Sequence, residues 1–139
     1  MTDPNCIFCK IAAGDIPCTK VFESVDALAF MDIGPLAEGH VLLIPKQHYA
    51  TIDEMPAEGA ALLMGHIPAL VRAVQAVTGC EGVNVLQNNG KAAHQEVPHV
   101  HVHIIPRTPG DAFGFTWPAG SYPEGRAGEL ATAIARELR

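Results

Sequence analysis

Short segments of alternating or continuous apolar residues predict most of the β-structure. Candidate strands cover residues 19–23, 27–31, 39–46, 82–87 and 99–105. Only three residues separate the first two segments, which indicates a hairpin. The turn sequence of Asn88, Asn89 and Gly90 lies between the last two segments, so we expect those strands to be antiparallel neighbours.

Two further segments have apolar residues at helical spacing. In residues 56–78 the stripe consists of Leu63, Ile67, Leu70, Val71, Val74 and Val77. Because Pro68 lies inside this pattern, we expect one long helix that is kinked or split there. A C-terminal helix is predicted for residues 125–138, with Leu130, Ile134 and Leu138 on one face, whereas residues 107–123 have no regular pattern. The prediction is an α+β fold with an antiparallel sheet of about five strands and flanking helices.

The composition narrows the class of protein. With 139 residues and 48% hydrophobic content, the chain is long enough for one domain with its own core. Nine basic and fifteen acidic residues give a net charge of −6, which argues against binding of duplex nucleic acid. Residues 1–5 lack the pattern of a signal peptide, and no unbroken apolar run is long enough to cross a bilayer. We therefore expect a cytoplasmic protein with no membrane partner and with unpaired cysteines.

The segment 99–105 carries histidine at every second position, namely His99, His101 and His103. In a strand these three imidazoles share one face, and the aliphatic residues between them share the other. Three explanations are open. The row is the polar face of a half-buried strand, or a set of zinc ligands, or a nucleophilic imidazole with neighbours that handle protons.

A Cys-x-x-Cys motif at Cys6 and Cys9 opens the folded part of the chain. On a short helical turn this spacing brings two thiolates to one cation, and zinc is the usual cation in a reducing compartment. A redox pair and two small buried cysteines are the alternatives.

Further polar residues lie next to the predicted strands. Asp32 directly follows the second strand, where a carboxylate forms a turn or accepts hydrogen bonds from a ribose diol. Asn88 and Gln95 lie at the two ends of the loop before the histidines, where their amides could bind phosphate oxygens. His40 and His48 flank the third strand and are typical of structural histidines unless they have a partner elsewhere.

The row from 99 to 105 resembles the signature of the histidine triad (HIT) family of nucleotide hydrolases and transferases, His-φ-His-φ-His-φ-φ with φ apolar. The Hint-like branch, with its zinc-binding Cys-x-x-Cys, is matched in order and spacing by residues 6–11, 29–33, 39–48 and 88–95. The resemblance covers residues 6–107. It implies a single HIT domain over residues 1–139, with 6–107 as its core and a C-terminal loop and helix in 108–139.

The resemblance implies hydrolysis or transfer at the α-phosphate of purine nucleoside phosphoramidates or related conjugates of AMP or GMP type. It assigns the nucleophile, which forms a nucleotidyl-histidine intermediate, to His101, and contacts with the phosphate or leaving group to His103. His101 then has to present Nε2, which requires a hydrogen bond from Nδ1. We expect the acceptor to be a backbone carbonyl of the same strand.

The resemblance also implies a set of substrate-binding residues. These are Asp32 for the ribose, Asn88 for the phosphate, Gln95 and His40 beside them, and Phe8, Phe30 and Ile33 around the base. For each of the three apolar residues a place in the core is an equally good explanation.

A structural zinc is implied as well. Several bacterial members of the family bind zinc through residues that match Cys6, Cys9, His48 and His99. Two thiolates and two imidazoles fill a tetrahedral site and leave no open position, so this zinc stabilises the fold and takes no part in the reaction. The resemblance further implies a homodimer in which the sheet continues across both protomers.

Three other functions stay open. A dinucleoside polyphosphate hydrolase is the alternative within the family. A zinc-dependent hydrolase would use the histidine row as catalytic metal ligands, and a nucleotide-binding module would bind without turnover. His94 and Glu96 depart from the branch, which often has Gly and Ser or Thr there, and their roles are left open.

Overall fold

The structure of the protein, a computed structural model, describes residues 2–114 and 116–138. Within these residues the elements are α1 (Ile7–Ala13), β1 (Lys20–Glu23), β2 (Ala27–Met31), β3 (Val41–Pro45), α2 (Ala57–Gly65), α3 (Ile67–Thr78), β4 (Gly82–Gln87), β5 (Val102–Arg107) and α4 (Arg126–Glu137), with 3₁₀ turns at Ile52–Glu54 and Lys91–Ala93. The strands form one antiparallel sheet in the order β1-β2-β3-β5-β4. The predicted α+β fold with a five-stranded antiparallel sheet is confirmed.

The central strands β2 and β3 are buried on both faces, which explains why their sequences are continuously apolar. Alternate residues such as Ala29 and Leu43 face a core that α2 and α3 cover. The residues between them, Phe30 among them, face a second core with Phe8 and Cys9 of α1. The Cys-x-x-Cys motif therefore packs directly against the sheet.

The predicted long helix is two helices, α2 and α3, which meet at His66. Pro68 lies in the first turn of α3, where its missing N–H needs no partner, so the chain breaks just before the proline. Together the two helices are long and apolar enough to cross a membrane, which the count of unbroken apolar runs did not indicate. The chain breaks between the two helices, and Leu63, Leu70 and Val74 are buried against the sheet.

Strand β5 is shifted along the chain relative to the predicted strand. It begins at Val102, so His99 and His101 precede it and only His103 lies in it. The Val100 N–H donates to the Tyr49 carbonyl at 2.8 Å, outside the strand ladder. The side chains nevertheless alternate between two faces from residue 99 onward, because the aliphatic residues at 100, 102 and 104 all lie in the core beside α2 and α3.

The C-terminal part contributes little to either core. Residues 108–125 contain no helix or strand among those the structure describes, and α4 follows with Gly125 as its N-cap residue. No residue of α4 is buried, and Ile134 is 61% exposed. Of the predicted apolar stripe of this helix, Leu130 is partly buried and Ile134 and Leu138 are exposed.

Candidate active site and metal centre

Four side chains from three distant parts of the sequence meet beside α1. Cys6 Sγ lies 3.4 Å from His99 Nδ1, and Cys9 Sγ lies 3.4 Å from His48 Nδ1 and 3.6 Å from His99 Nδ1. The two Nδ1 atoms are 3.2 Å apart. The structure thus brings together all four residues that the resemblance assigns to zinc.

The geometry of this Cys₂His₂ group fits a tetrahedral zinc ion. Zn–S bonds of about 2.3 Å and Zn–N bonds of about 2.0–2.1 Å put sulfur and nitrogen about 3.6 Å apart and two nitrogens about 3.3 Å apart, close to the separations of 3.4–3.6 Å and 3.2 Å between these atoms. His99 has the required tautomer, because its Nε2–H donates to the Pro45 carbonyl at 2.8 Å and leaves a lone pair on Nδ1. Burial raises the pKa of the Cys9 thiol, so a cation that binds here displaces a proton.

His101 lies next to this group, and its ring is fixed for a different task. Its Nδ1–H donates to the His99 carbonyl at 2.7 Å, since a carbonyl can only accept. Nε2 therefore carries a lone pair. This is the arrangement that the sequence predicts, with a backbone carbonyl as the acceptor, although both residues lie just before β5 and not within it.

A hydrogen-bonded pair of imidazoles fixes the orientation of His103. The Leu36 N–H donates to His40 Nδ1 at 3.1 Å, so the proton of His40 is on Nε2. His40 Nε2–H then donates to His103 Nδ1 at 2.9 Å, which leaves the proton of His103 on Nε2. The rings of His101 and His103 have their centroids 4.9 Å apart. His101 and His103 therefore offer an acceptor, His101 Nε2, and a donor, His103 Nε2–H, close together.

His40 is 1% exposed, so it acts on the site through His103 and not at the surface. The Asp32 carboxylate lies 3.4 Å from His40 Nε2 and is partly exposed. Asp32, His40 and His103 could also hold a cation, but both nitrogens of His40 already take part in hydrogen bonds.

The residue before His40 has to be glycine. Gly39 has φ +96°, and a Cβ there would lie 2.6 Å from Thr78 Cγ2, so a larger residue would not fit against Thr78.

The three imidazoles of this part of the site are neutral near pH 7. Burial lowers the pKa of His101, against the opposing effect of its hydrogen bond to the His99 carbonyl. Burial, reinforced by the neighbouring His101 and His40, lowers the pKa of His103 to about 4. Burial also lowers the pKa of His40, which the Asp32 carboxylate opposes. The Nε2 lone pair of His101 is therefore available without removal of a proton.

The three apolar residues assigned to the base do not all come together. Phe8 packs edge-on against Phe30 and His101, with ring centroids 5.7 Å and 5.1 Å apart, so it lies between the core and the candidate nucleophile. Phe8 and Phe30 are both buried. Ile33 is fully exposed, so it has no contact of this kind, and its place in a base pocket stays a prediction.

Gln95 and Asn88 lie at the two ends of the loop before the histidines but differ in their surroundings. Gln95 is buried, its Oε1 accepts from the Gly90 N–H at 2.7 Å, and its Nε2 donates to the Ala50 carbonyl at 2.7 Å. Its amide thus ties two loops together. The side chain of Asn88 is partly exposed and makes no hydrogen bond to the residues that the structure describes.

Several groups that organise the site are backbone atoms, and of these the sequence predicts only a backbone carbonyl as the partner of His101. The carbonyls of Pro45 and His99 and the amide of Leu36 decide which nitrogen of each histidine carries its proton. Every residue has such groups, so no residue type signals them. Only the tertiary structure identifies the ones that are used.

The profile of the HIT domain matches residues 13–110. An adenosine 5′-monophosphoramidase of Schizosaccharomyces pombe is 50% identical over 121 residues, which cover 86% of this chain and 86% of that protein.

Two solved structures resemble the whole chain. A protein of Streptococcus mutans UA159 is 42% identical, with a TM-score of 0.95 over 99% of this chain and 88% of that one. A zinc-bound histidine triad family protein of Mycobacterium smegmatis is 34% identical, with a TM-score of 0.73 over 96% of this chain and 95% of that one.

Proposed function

The chain belongs to the HIT domain family and is a hydrolase of that family, and we propose that it cleaves purine nucleoside phosphoramidates or related AMP- and GMP-type conjugates at the α-phosphate. The observation that carries this proposal is the pair of oppositely set imidazoles, with a lone pair on His101 Nε2 and a proton on His103 Nε2. An imidazole so fixed is a nucleophile for phosphorus, and its neighbour is a donor for a phosphate oxygen. The 50% identity to an adenosine 5′-monophosphoramidase supports the substrate class.

In the proposed first step, His101 Nε2 forms a bond to the α-phosphorus while the bond from phosphorus to the leaving amine breaks. The amine takes up a proton from solvent as it leaves, and the nucleotide stays on His101. Water then attacks the phosphorus and releases a proton to solvent, the phosphorus–nitrogen bond to His101 breaks, and the nucleoside monophosphate leaves. His103 Nε2–H donates to a phosphate oxygen in both steps and stabilises the charge that develops there.

The remaining polar and apolar residues of the site supply the other proposed contacts with the substrate. The Asp32 carboxylate accepts hydrogen bonds from the ribose hydroxyls, and the Asn88 amide binds a phosphate oxygen. Phe8, Phe30 and Ile33 surround the base. Gln95 and His40 serve the same site indirectly, Gln95 through the two loops that it joins and His40 through its hydrogen bond to His103.

The direct test is to mix the protein with adenosine 5′-phosphoramidate, quench within one turnover and measure the mass of the intact chain. We expect an adduct of one adenylate on the wild type. His101→Ala should lose both the adduct and turnover by a factor of at least 10³. His66→Ala is the matched control, because it removes an imidazole outside the site. Near-normal turnover of folded His101→Ala would show that His101 is not the nucleophile.

The same assay separates the other functions. A dinucleoside polyphosphate hydrolase would show a higher kcat/KM for dinucleoside triphosphates or tetraphosphates than for the phosphoramidate. A nucleotide-binding module would bind AMP tightly and release no amine. A zinc hydrolase that used the histidine row would lose activity rapidly on chelation, regain it with zinc and form no adduct. The geometry does not favour that last alternative, because the lone pairs of His99 and His101 are fixed by different carbonyls.

We propose that zinc occupies the Cys₂His₂ group and acts only on the fold. Cys6, Cys9, His48 and His99 would hold it, and bound zinc would supply charge neutralisation for two thiolates and a link between α1 and the histidine row. The zinc-bound relative from Mycobacterium smegmatis supports this. Metal analysis of the purified protein should give one zinc per chain, and Cys9→Ser should lose it. Cys18→Ser, outside the group, should keep it. Full zinc in Cys9→Ser would refute the assignment.

We also propose that the chain is one domain over residues 1–139 and forms a homodimer in the cytoplasm. The edge strand β4 pairs with β5 alone among the described strands, so its outer edge is free to continue the sheet into a second protomer. Sedimentation equilibrium should give twice the chain mass of 14.7 kDa. A monomer at micromolar concentration would contradict the dimer.

A further inference from the structure

Asp3, in the turn before α1, touches the Cys₂His₂ group with both its backbone and its side chain. Its N–H donates to Cys9 Sγ at 3.4 Å, and its carbonyl accepts from the Cys6 N–H at 3.1 Å. Its carboxylate oxygen Oδ2 lies 3.9 Å from His48 Nε2. Asp3 is therefore in contact with three of the four proposed zinc ligands.

A local hydrogen bond holds the Asp3 carboxylate in place. Its other oxygen, Oδ1, accepts from the Asn5 N–H at 2.8 Å. Aspartate and asparagine commonly form such a turn with the amide two residues further on. The bond keeps one oxygen at the backbone and leaves Oδ2 beside His48. The carboxylate thus stays next to the imidazole, although 42% of the Asp3 side chain is exposed.

The two histidines of the group differ in what their second nitrogen faces. His48 and His99 both direct Nδ1 to the cysteines, so with a bound cation the proton of each neutral ring is on Nε2. His99 Nε2–H donates to the Pro45 carbonyl at 2.8 Å, which is an uncharged acceptor. His48 Nε2 has no hydrogen bond to the residues that the structure describes. The charged group beside it is the Asp3 carboxylate.

A carboxylate at this place acts on the metal through the imidazole of His48. A cation on Nδ1 withdraws electrons from the ring, so the Nε2–H becomes more positive, and the carboxylate in turn makes the imidazole a stronger ligand. Loss of such an outer group lowers metal affinity by about 10- to 100-fold. Because Asp3 is partly exposed and its oxygen is 3.9 Å from Nε2, water weakens the attraction, and the lower end of that range applies.

We propose that Asp3 is a positioning residue of the zinc centre, whose carboxylate orients His48 and raises the affinity for zinc about tenfold. This role rests on the zinc centre proposed above and is separate from the chemistry of His101. The hydrogen bond to Cys9 Sγ comes from the backbone, so most residues at position 3 could make it. The carboxylate is what distinguishes aspartate at this position.

The test separates the charge of Asp3 from the turn that it forms. Asp3→Asn keeps an oxygen for the Asn5 N–H and the backbone bond to Cys9, but it places an NH₂ group beside the N–H of His48. Asp15→Asn is the matched control, because it removes the same charge from an exposed position at the other end of α1. Competition with a chromophoric chelator measures the zinc dissociation constant. We expect it to rise about tenfold in Asp3→Asn and to stay unchanged in Asp15→Asn.

Two further measurements distinguish this role from a purely structural one. Without zinc, Asp3→Asn and the wild type should have the same Tm, because the turn is intact in both. In the ¹⁵N spectrum of the zinc-loaded imidazoles, Asp3→Asn should shift the Nε2 signal of His48 and leave that of His99 in place.

The outcomes for Asp3 and for the zinc centre can be told apart. If the wild type and Asp3→Asn bind zinc with the same dissociation constant, Asp3 does not have this role. A Tm that falls equally with and without zinc would also overturn it, since the loss would then come from the turn. If the wild type binds no zinc at all, the zinc centre is refuted, and the role of Asp3 with it.

Discussion

Three chemically identical side chains present different ring nitrogens because each ring is fixed by a different neighbour. His99 donates from Nε2 to the Pro45 carbonyl and keeps its Nδ1 lone pair for the cysteine group. His101 donates from Nδ1 and keeps its lone pair on Nε2. His103 accepts on Nδ1 from His40 and keeps a proton on Nε2. The neighbours of a histidine thus decide which of its nitrogens carries the lone pair and which the proton, and with it the role that we propose for each of the three.

The role of His40 gives a prediction at this scale. His40→Ala removes the donor to His103 Nδ1, so the proton of His103 can move to Nδ1 and Nε2 no longer donates to the substrate. We expect kcat/KM for adenosine 5′-phosphoramidate to fall about 10²-fold. His40→Gln, whose amide N–H reaches a similar position, should recover part of the loss. If folded His40→Ala has wild-type kcat/KM, the tautomer of His103 does not matter for the reaction.

The buried imidazole of His103 also predicts how stability depends on pH. Its pKa is lowered from the ordinary 6.5 to about 4. Between these values the unfolded chain holds the proton and the folded protein does not, so the free energy of unfolding falls as the pH falls. Urea unfolding at pH 7 and pH 5 should show that the wild type loses about 2 kcal/mol more than His103→Gln. The control His66→Gln should follow the wild type. Parallel losses in wild type and His103→Gln would contradict this explanation.

At the scale of elements, the strands and helices form where the apolar pattern predicts them, and the differences have local causes. Strand β5 begins at Val102, because there the chain first pairs with both Leu43 and Gln87. His99 and His101 precede that point, where the backbone bonds to Tyr49 and the side chains serve the metal group and the site. Residues that repeat at every second position, such as these histidines, are predicted to share a face of an extended chain. This holds whether or not the chain is hydrogen-bonded to a neighbouring strand.

Gln95 gives a prediction at this scale, because its role lies in joining two loops. Its amide bonds to Gly90 and Ala50 are both 2.7 Å long and partly buried, so Gln95→Ala leaves two backbone groups without a partner. We expect a loss of about 2–4 kcal/mol in the free energy of unfolding. A higher KM should accompany it, because the loop that holds Asn88 loosens. Exposed Gln75→Ala on α3 is the control and should have no destabilising effect. Equal stability of both variants would mean that the two bonds contribute little.

At the scale of the whole molecule, the Cys₂His₂ group joins parts of the chain that are far apart in sequence. Cys6 and His99 are separated by 93 positions, and His48 comes from the end of β3 between them. A metal at this point would therefore hold α1, the end of β3 and the histidine row together.

Removal of the metal tests this role. A chelator should lower Tm by about 10 °C or more, since a ligand present at 1,000 times its Kd contributes about 4 kcal/mol. Addition of zinc should restore Tm, and Cys9→Ser should have the lower Tm without chelator. The His101 adduct should still form in the chelated protein below its Tm. An unchanged Tm on complete loss of zinc would show that the metal does not stabilise the fold.

The sequence by itself predicted the order of the five strands, the helices in residues 56–78 and 125–138, and the residues of the candidate site. These follow from side-chain periodicity and from motifs whose chemistry depends on residue type. Through the family resemblance it also predicted different tasks for His99 and His101, which stay predictions.

Only the tertiary structure decided how the site is assembled. The groups that set the tautomers of His99, His101 and His40 are backbone groups, which every residue has, so no residue type marks the ones in use. His103 is set in turn by His40. The tertiary structure likewise showed that Gln95 bonds to two loops, and that no residue of α4 lies in either core of the described chain. Periodicity indicates that an element has an apolar face, but which surface covers that face is a property of the packed molecule.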